Sequence, residues 1–392
     1  MSGEDSVTKV FTRRRRLAII GGGSSGLICL KNGLDLIADW DIVCFEKSDR
    51  VTGCWGNPYP GFVSTSTKYT TQFACFPQFD AAIKSDGGRS RDEFFRDDEY
   101  GQYLERFSKE FLLHRKIELH SQVDNLCRDT ARGGWKLTIT CTQESRSKTT
   151  TDHFDSVIIC SGLAAEPKPL DCDIKRLSVS ELNHCDGLGH VNNKCIVVIG
   201  GGESAVDYAS RLASPELNNE VFLSLQSGIR VSPRYHPIRG VPSDFLRNRL
   251  MLSIHQDLRN WIGQRFVVAR IKYQRAFEWF FPSARSKHES ATTSVDATPR
   301  DVVQIRKQWA YKLTKTAKDD LFNMFHNKSD DFLDAVADGR ITIVGTPVNN
   351  QFTTFHSFDS AGEEKVVPDM VVPAVGYRSQ LSELSGAQIS LA

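Results

Sequence analysis

This 392-residue chain has no long apolar run, no closely paired cysteines and no surplus of one charge. None of its stretches reaches the roughly 18 uninterrupted apolar residues of a membrane span, so no transmembrane segment is expected. Met1 to Thr12 lacks the apolar core of a secretory signal, which points to a cytoplasmic protein. The ten cysteines all fall between Cys29 and Cys195, and none forms a CxxC or CxxxxC pair. That argues against a disulfide framework, a zinc ribbon and a dithiol reductase, and no metal centre is expected. Scattered single thiols fit a reducing compartment. A formal net charge of +1 gives no reason to expect nucleic acid as a partner. The basic run Arg13 to Arg16 directly precedes an apolar strand, where it reads as a solvated flank.

The length suits two or three domains. Leu17 to Ile20 is an apolar strand, followed by Gly21-Gly22-Gly23-Ser24-Ser25-Gly26, a helical stretch and a second strand, Asp41 to Phe45. A loop-rich segment runs from Arg50 to Asp98, and helical spacing follows over Glu99 to Leu113. Short strands at 117–119, 122–127 and 135–141 suggest a small meander. Val157 to Cys160 is a further strand, and Pro167-Lys168-Pro169 marks a domain crossing. Cys195 to Ile199 opens a second strand–glycine–helix unit, with Glu220 to Leu225 as its next strand. Leu246, Leu250, Ile254 and Leu258 recur at helical spacing in a stretch that continues to Phe281, and this face is expected to pack on the core. Ser283 to Pro299 reads as a loop and Val302 to Phe325 as a helix, while Arg340 to Val344 and Asp369 to Val372 read as strands. The fold class is α/β: two Rossmann-like domains, each a parallel sheet with helices on both faces, and a helical insertion in the second.

Each glycine cluster has the setting that dinucleotide binding requires. In the first, Gly21 permits the tight turn, Gly23 lets the backbone approach a pyrophosphate, and Gly26 lets the helix pack closely on the strand. The helix N-terminus, including Ser25, then presents unpaired N–H groups and a positive dipole end. Glu46 ends the second strand, where an acid accepts hydrogen bonds from ribose hydroxyls. In the second cluster, Gly200, Gly202 and Ser204 open the helix, and Ala205 replaces the third glycine. No acid ends its second strand, but Arg230 and Arg234 follow, a pattern that favours a 2′-phosphate and hence NADPH over NADH. Two such units imply two dinucleotides, FAD in the first and NADPH in the second, one passing a hydride to the other. The expected boundaries are 1–168 for the first part of the FAD-binding domain and 169–330 for the NADPH-binding domain, with its insertion at about 243–330. Residues 331–392 are expected to return to the FAD-binding domain as a short final part. The formal GxSxG match at Gly22 to Gly26 would suit a hydrolase nucleophile, but the dinucleotide reading also accounts for Glu46.

Further residues extend the pattern: Phe45-Glu46-Lys47, Gly53-Cys54-Trp55, Tyr59-Pro60-Gly61, the GGGESAVD of residues 200–207, and Asp369 to Tyr377. From Leu17 to Tyr377 the chain resembles the class B flavoprotein monooxygenases, the group of flavin-containing and Baeyer–Villiger monooxygenases. The resemblance implies that NADPH reduces FAD and that the reduced flavin takes up O2 as a C4a-hydroperoxide. One oxygen atom then passes to a small molecule, such as an amine nitrogen or a sulfide. It assigns Gly21, Gly23, Gly26, Glu46, Lys47 and Trp55 to FAD, and Gly200, Gly202 and Ser204 to NADPH. Several positions depart from the family pattern. Val375 stands for the usual Thr, Ser178 and Ser180 replace a Phe and a Gly, and Leu188 follows His184 in place of an aromatic. Near the flavin, where the family has Asn or Asp, alignment from Lys68 and Tyr59-Pro60-Gly61 places Thr65, the candidate catalytic residue.

N- or S-oxygenation is the leading expectation. Baeyer–Villiger oxygenation of a ketone stands second because Thr65 is not an acid, and a non-catalytic nucleotide-binding protein acting through partners is the third reading. Aromatics between Thr65 and Phe79, including Tyr69, Phe73 and Phe76, are candidates for substrate lining. A homo-oligomer is compatible with the sequence, which carries no signal for or against one.

Overall fold

The computed structural model describes residues 13–56, 58–59, 61–79, 93–143, 146–162, 166–177, 188–235, 299–317 and 327–378, with isolated positions between 242 and 273. Two compact units emerge: residues 1–57, 98–166 and 377–392 form the first, and 58–97 with 167–376 the second.

In the first unit, strand Arg16–Ile20 pairs in parallel with Asp41–Phe45 on one side and Ser156–Ile159 on the other. Ile117–Glu118 extends the sheet beyond Asp41–Phe45. Parallel strands are buried on both faces, which is why they read as near-continuous apolar runs. The helix Ser24–Leu36 lies against these strands, close enough at Gly33 that a Cβ would sit 3.1 Å from Ile42 Cδ1. Helix Glu99–Glu110 buries Tyr100, Tyr103, Leu104 and Phe107, the stripe that its 3.6-residue period brings together. It stops short of the expected Leu113 because Leu112 takes a left-handed conformation, with φ of 53°.

The opposite face carries Ala18, Ile20 and Phe45, packed on Val123, Leu126, Leu137, Ile139 and Phe154 of a three-stranded antiparallel meander. Its strands are Ser121–Arg128, Trp135–Gln143 and Arg146–Phe154. Phe154 is fully buried, meets Phe45 edge to face at 5.9 Å, and lies 4.4 Å beneath the Arg16 guanidinium.

In the second unit the sheet order is Ile341–Val344, Glu220–Ser224, Cys195–Ile199, Met370–Pro373, all parallel. The two-residue period divides the central strand. Ile196 and Val198 face helix Glu203–Leu212, whereas Val197 and Ile199 face Phe352, Phe355 and Val366. Helix Pro299–Lys315 adds Leu313 and Trp309 to the helical side, and Phe332–Ala337 adds Phe332. Pro at the first helical position suits the start of 299–315, three residues before the expected one.

The partition departs from the expected boundaries in two places. Residues 58–97 group with the second unit, where Val63–Thr67 pairs antiparallel with Phe94–Arg96. Residues 331–376, expected back in the first domain, supply two strands of the second sheet, because the apolar Met370-Val371-Val372 completes its burial. The expected helix over 243–281 falls largely outside the described residues. Its Leu250, Ile254 and Leu258 are 80%, 37% and 51% exposed and do not form the core-facing stripe that their spacing suggested. His184, Ser178 and Ser180 also lie outside the described residues.

Because Phe154 joins the meander to the first sheet, Phe154→Ala is expected to cost about 3–5 kcal/mol of first-unit stability, and Phe154→Leu clearly less. Urea unfolding followed by circular dichroism checks this, and equal losses in the two variants would contradict the packing account.

Candidate functional site

In the first unit the loop Gly21–Gly26 closes at the end of its strand through Gly21 N–H donating to Phe45 O at 2.8 Å. Gly21 has φ of +101°, and a Cβ there would lie 2.5 Å from Cys160 O. A Cβ on Gly26 would lie 1.8 Å from Gly21 O, so the helix can approach the strand only without a side chain. Glu46 is buried. Its Oε2 accepts from Gly22 N–H at 2.6 Å, and its Oε1 accepts from Ser48 N–H at 2.9 Å and Ser48 Oγ at 2.8 Å. It therefore braces the loop itself, and three of the roughly four acceptor positions of a carboxylate are used. Beneath the loop, burial pushes the Cys44 thiol up to about 12, which keeps it protonated.

The turn Gly53–Trp55 follows, and a Cβ on Gly53 would lie 3.2 Å from Gly23 Cα. Arg50 fastens this turn to helix Glu99–Glu110, donating to Glu105 Oε1 and Asp98 Oδ2, each at 2.7 Å, and to Gly56 O at 3.0 Å. Trp55 is half-buried, edge-on to Tyr100 at 5.0 Å, while Ser25 and Lys47 are exposed.

The second loop repeats the design. Gly200 N–H donates to Ser224 O at 3.1 Å, φ is +132°, and a Cβ would lie 2.3 Å from Ala374 O. Gly202 is different: its φ is −86°, and nothing lies within 4 Å of where a Cβ would stand. The fold does not require glycine there, so the open position fits close approach of a ligand to the backbone. Gly202 caps helix Glu203–Leu212 with no side-chain hydrogen bond, leaving first-turn N–H groups to a ligand or water. Gly23 caps its helix in the same way. Both loops thus fit a dinucleotide pyrophosphate.

Around the second loop a cluster joins the expected Thr65 and Arg234 to Glu203, Asn327 and Lys328, which the sequence did not single out. Thr65 Oγ donates to Glu203 Oε2 at 3.4 Å. Lys328, buried, donates to Thr65 O at 2.5 Å, and Asn327 donates to Gly201 O at 2.9 Å. Arg234 donates to Ser64 O at 3.3 Å and Val63 O at 3.0 Å, and pairs with Asp330. Two cations therefore engage three successive main-chain carbonyls. Desolvation raises the Glu203 carboxyl to about 7, against the lowering influence of Lys328, Thr65 and Arg234. Tyr59 donates to Asp207 and lies under the Arg211 guanidinium at 4.4 Å, holding its loop on helix Glu203–Leu212. The signal that could have pointed to Glu203 is an acid at a helix start, whereas Asn327 and Lys328 carry no periodic or motif signal.

The expected roles for the two arginines diverge. Arg230 is buried, at 9% exposure, and Arg234 pairs with Asp330 and donates to two backbone carbonyls. Of the candidate lining segment, Phe79 meets Phe95 at 5.3 Å with the Lys68 ammonium near both rings, and Tyr69, Phe73 and Phe76 are half-buried.

The sequence pattern of a family described as flavin-binding monooxygenase-like matches residues 14–303. The chain is 26% identical over 294 residues to the 4-hydroxybenzoate brominase (decarboxylating) of Marinomonas mediterranea, covering 71% of this chain and 54% of that protein. It is 29% identical over 294 residues to flavin-containing monooxygenase 3 of Rattus norvegicus, covering 67% and 50%. It spans about half the length of these relatives. Among solved structures, a complex of OTEMO with FAD and NADP aligns with TM-score 0.59 at 14% identity, over 94% of this chain and 73% of that one. At that identity the likeness establishes the two-domain fold. No helix among the described residues is long and apolar enough to cross a membrane.

Two substitutions separate fold from binding. Gly200→Ala is expected to lose folded protein, because backbone meets backbone, whereas Gly202→Ala keeps the wild-type melting temperature and weakens NADP+ binding about tenfold or more. Unchanged NADP+ affinity in Gly202→Ala would remove the phosphate from this loop. Arg234→Ala is expected to cost about 2–3 kcal/mol through the carbonyls it leaves bare, with no change in NADPH-over-NADH preference; parallel denaturation and binding measurements check it.

Proposed function

From the premise that this chain belongs to the flavin-binding monooxygenase-like family, we propose that it is an FAD- and NADPH-dependent monooxygenase that oxygenates the nitrogen or sulfur of a small molecule. The observation that carries this reading is the pair of strand–glycine–helix cradles. In each, the cap glycine, Gly23 or Gly202, starts a helix without a side-chain cap.

The first loop would hold FAD, with Gly23 and the helix N-terminus facing its pyrophosphate and Glu46 fixing the loop shape. The second would hold NADPH through Gly202 and the adjoining N–H groups, with the exposed Ser204 at the mouth and Arg230 as the candidate partner of its 2′-phosphate. FAD, when bound, supplies acceptance of hydride from NADPH and activation of O2. The chain supplies orientation and exclusion of water. Trp55 backs the first loop's turn, and Arg50 immobilises it against Asp98 and Glu105.

Thr65 would act by hydrogen bonding alone. Its hydroxyl donates one hydrogen bond and cannot serve as a carboxylate base. This favours oxygenation of a soft nucleophile, which needs no acidic partner at that position, over the ketone chemistry that employs one.

The test is purified protein supplied with FAD and NADPH under 18O2, with an amine, a sulfide and a ketone as substrates. One 18O atom in an N-oxide or sulfoxide is expected, with NADPH consumption stimulated by the substrate. An ester from the ketone alone would reverse the ranking. Protein that neither retains FAD nor consumes NADPH would sink the enzymatic reading.

A further inference from the structure

Glu203 is the first residue of the helix that Gly202 caps, and Gly202 is where the loop lies open. A carboxylate in the first turn ordinarily gains from the helix dipole. Here a dinucleotide pyrophosphate would compete for the same positive end, placing like charges within one turn.

The surroundings leave this carboxyl poorly stabilised as an anion. Glu203 Oε1 is buried and accepts no hydrogen bond among the described residues, and Oε2 has only the long, 3.4 Å contact from Thr65 Oγ. Among the described residues the charged groups facing it are Lys328 from strand 327–328, Arg234 from the segment after Val231–Ser232, and Asp207 one turn along its own helix. Lys328 directs a donor to Thr65 O, and Arg234 directs its donors to Val63 O, Ser64 O and Asp330. Desolvation consequently outweighs both cations and holds the carboxyl at about 7.

We propose that Glu203 takes up a proton when the second glycine loop binds a nicotinamide dinucleotide, so that NADP+ affinity declines as pH rises through neutrality. This rests on the dinucleotide reading of that loop. The sign follows from linkage. Binding favours the neutral acid, so affinity is full while Glu203 is already protonated and falls once a proton must be drawn from solution.

The experiment is calorimetric titration of NADP+ into the full chain between pH 7 and 9, in two buffers of different ionisation enthalpy. The 2′-phosphate of NADP+ titrates itself near pH 6, below this window. Wild type is expected to lose affinity by at most about tenfold per pH unit, and by at least about fivefold in total. It is also expected to take up as much as roughly half a proton per NADP+ at pH 7. Glu203→Gln, which keeps an acceptor for Thr65 but cannot titrate, should bind with a flat profile and no such uptake. Should that variant fold poorly, proton uptake by the wild type decides alone. Binding that is independent of pH without proton uptake, or a Gln variant with the wild-type slope, overturns the inference and leaves the dinucleotide site standing. Absence of NADP+ binding at every pH overturns the site and the inference together.

Discussion

The constraint on which everything else depends is the close approach of backbone to backbone at each glycine loop. A Cβ on Gly26 would lie 1.8 Å from the Gly21 carbonyl oxygen within the first loop, and a Cβ on Gly200 would lie 2.3 Å from the Ala374 carbonyl oxygen at the end of the neighbouring strand. Those contacts cannot be relieved by rotating a side chain, because the opposing atoms are backbone. They fix each helix so that its first turn stands directly off the end of a buried strand. Each first turn is left without a side-chain cap and remains a place where phosphate can be met by N–H groups. The rest of each unit serves that arrangement: parallel strands give a stiff base, and Glu46, Arg50, Asn327 and Tyr59 fasten the loops around it.

Much of this was legible in the sequence because it is written in short-range pattern. Leu17 to Ile20 and Cys195 to Ile199 are apolar runs that stop at glycines, and the spacing of Tyr100, Tyr103, Leu104 and Phe107 declares a helix. Phe45-Glu46 ended a strand as expected, and the family resemblance drawn from these motifs agrees with the match over residues 14–303. Partner choice over long separations was not legible. Met370-Val371-Val372 reads as a buried strand, but nothing in its composition says that it joins Cys195–Ile199.

Side-chain commitment was the other blind spot. Position after the second unit's strand says nothing of what Arg234 touches. Its side chain satisfies two carbonyls far away in sequence, a contact that depends on tertiary structure alone. Glu203 was passed over because an acid at a helix start looks ordinary. Its character comes from burial and from the orientation of neighbouring donors, neither of which a linear sequence displays. The same holds for Glu46, whose bonds from Gly22 and Ser48 brace the first glycine loop.

The engagement of the Val63, Ser64 and Thr65 carbonyls by Arg234 and Lys328 has a consequence for how Thr65 is placed. These acceptors are met by side chains that reach in from residues far along the chain. The position of the Thr65 hydroxyl therefore depends on Arg234 and Lys328 as much as on its own strand. Losing either cation strips a main-chain oxygen of its donor and slackens the very stretch of backbone that carries the hydroxyl.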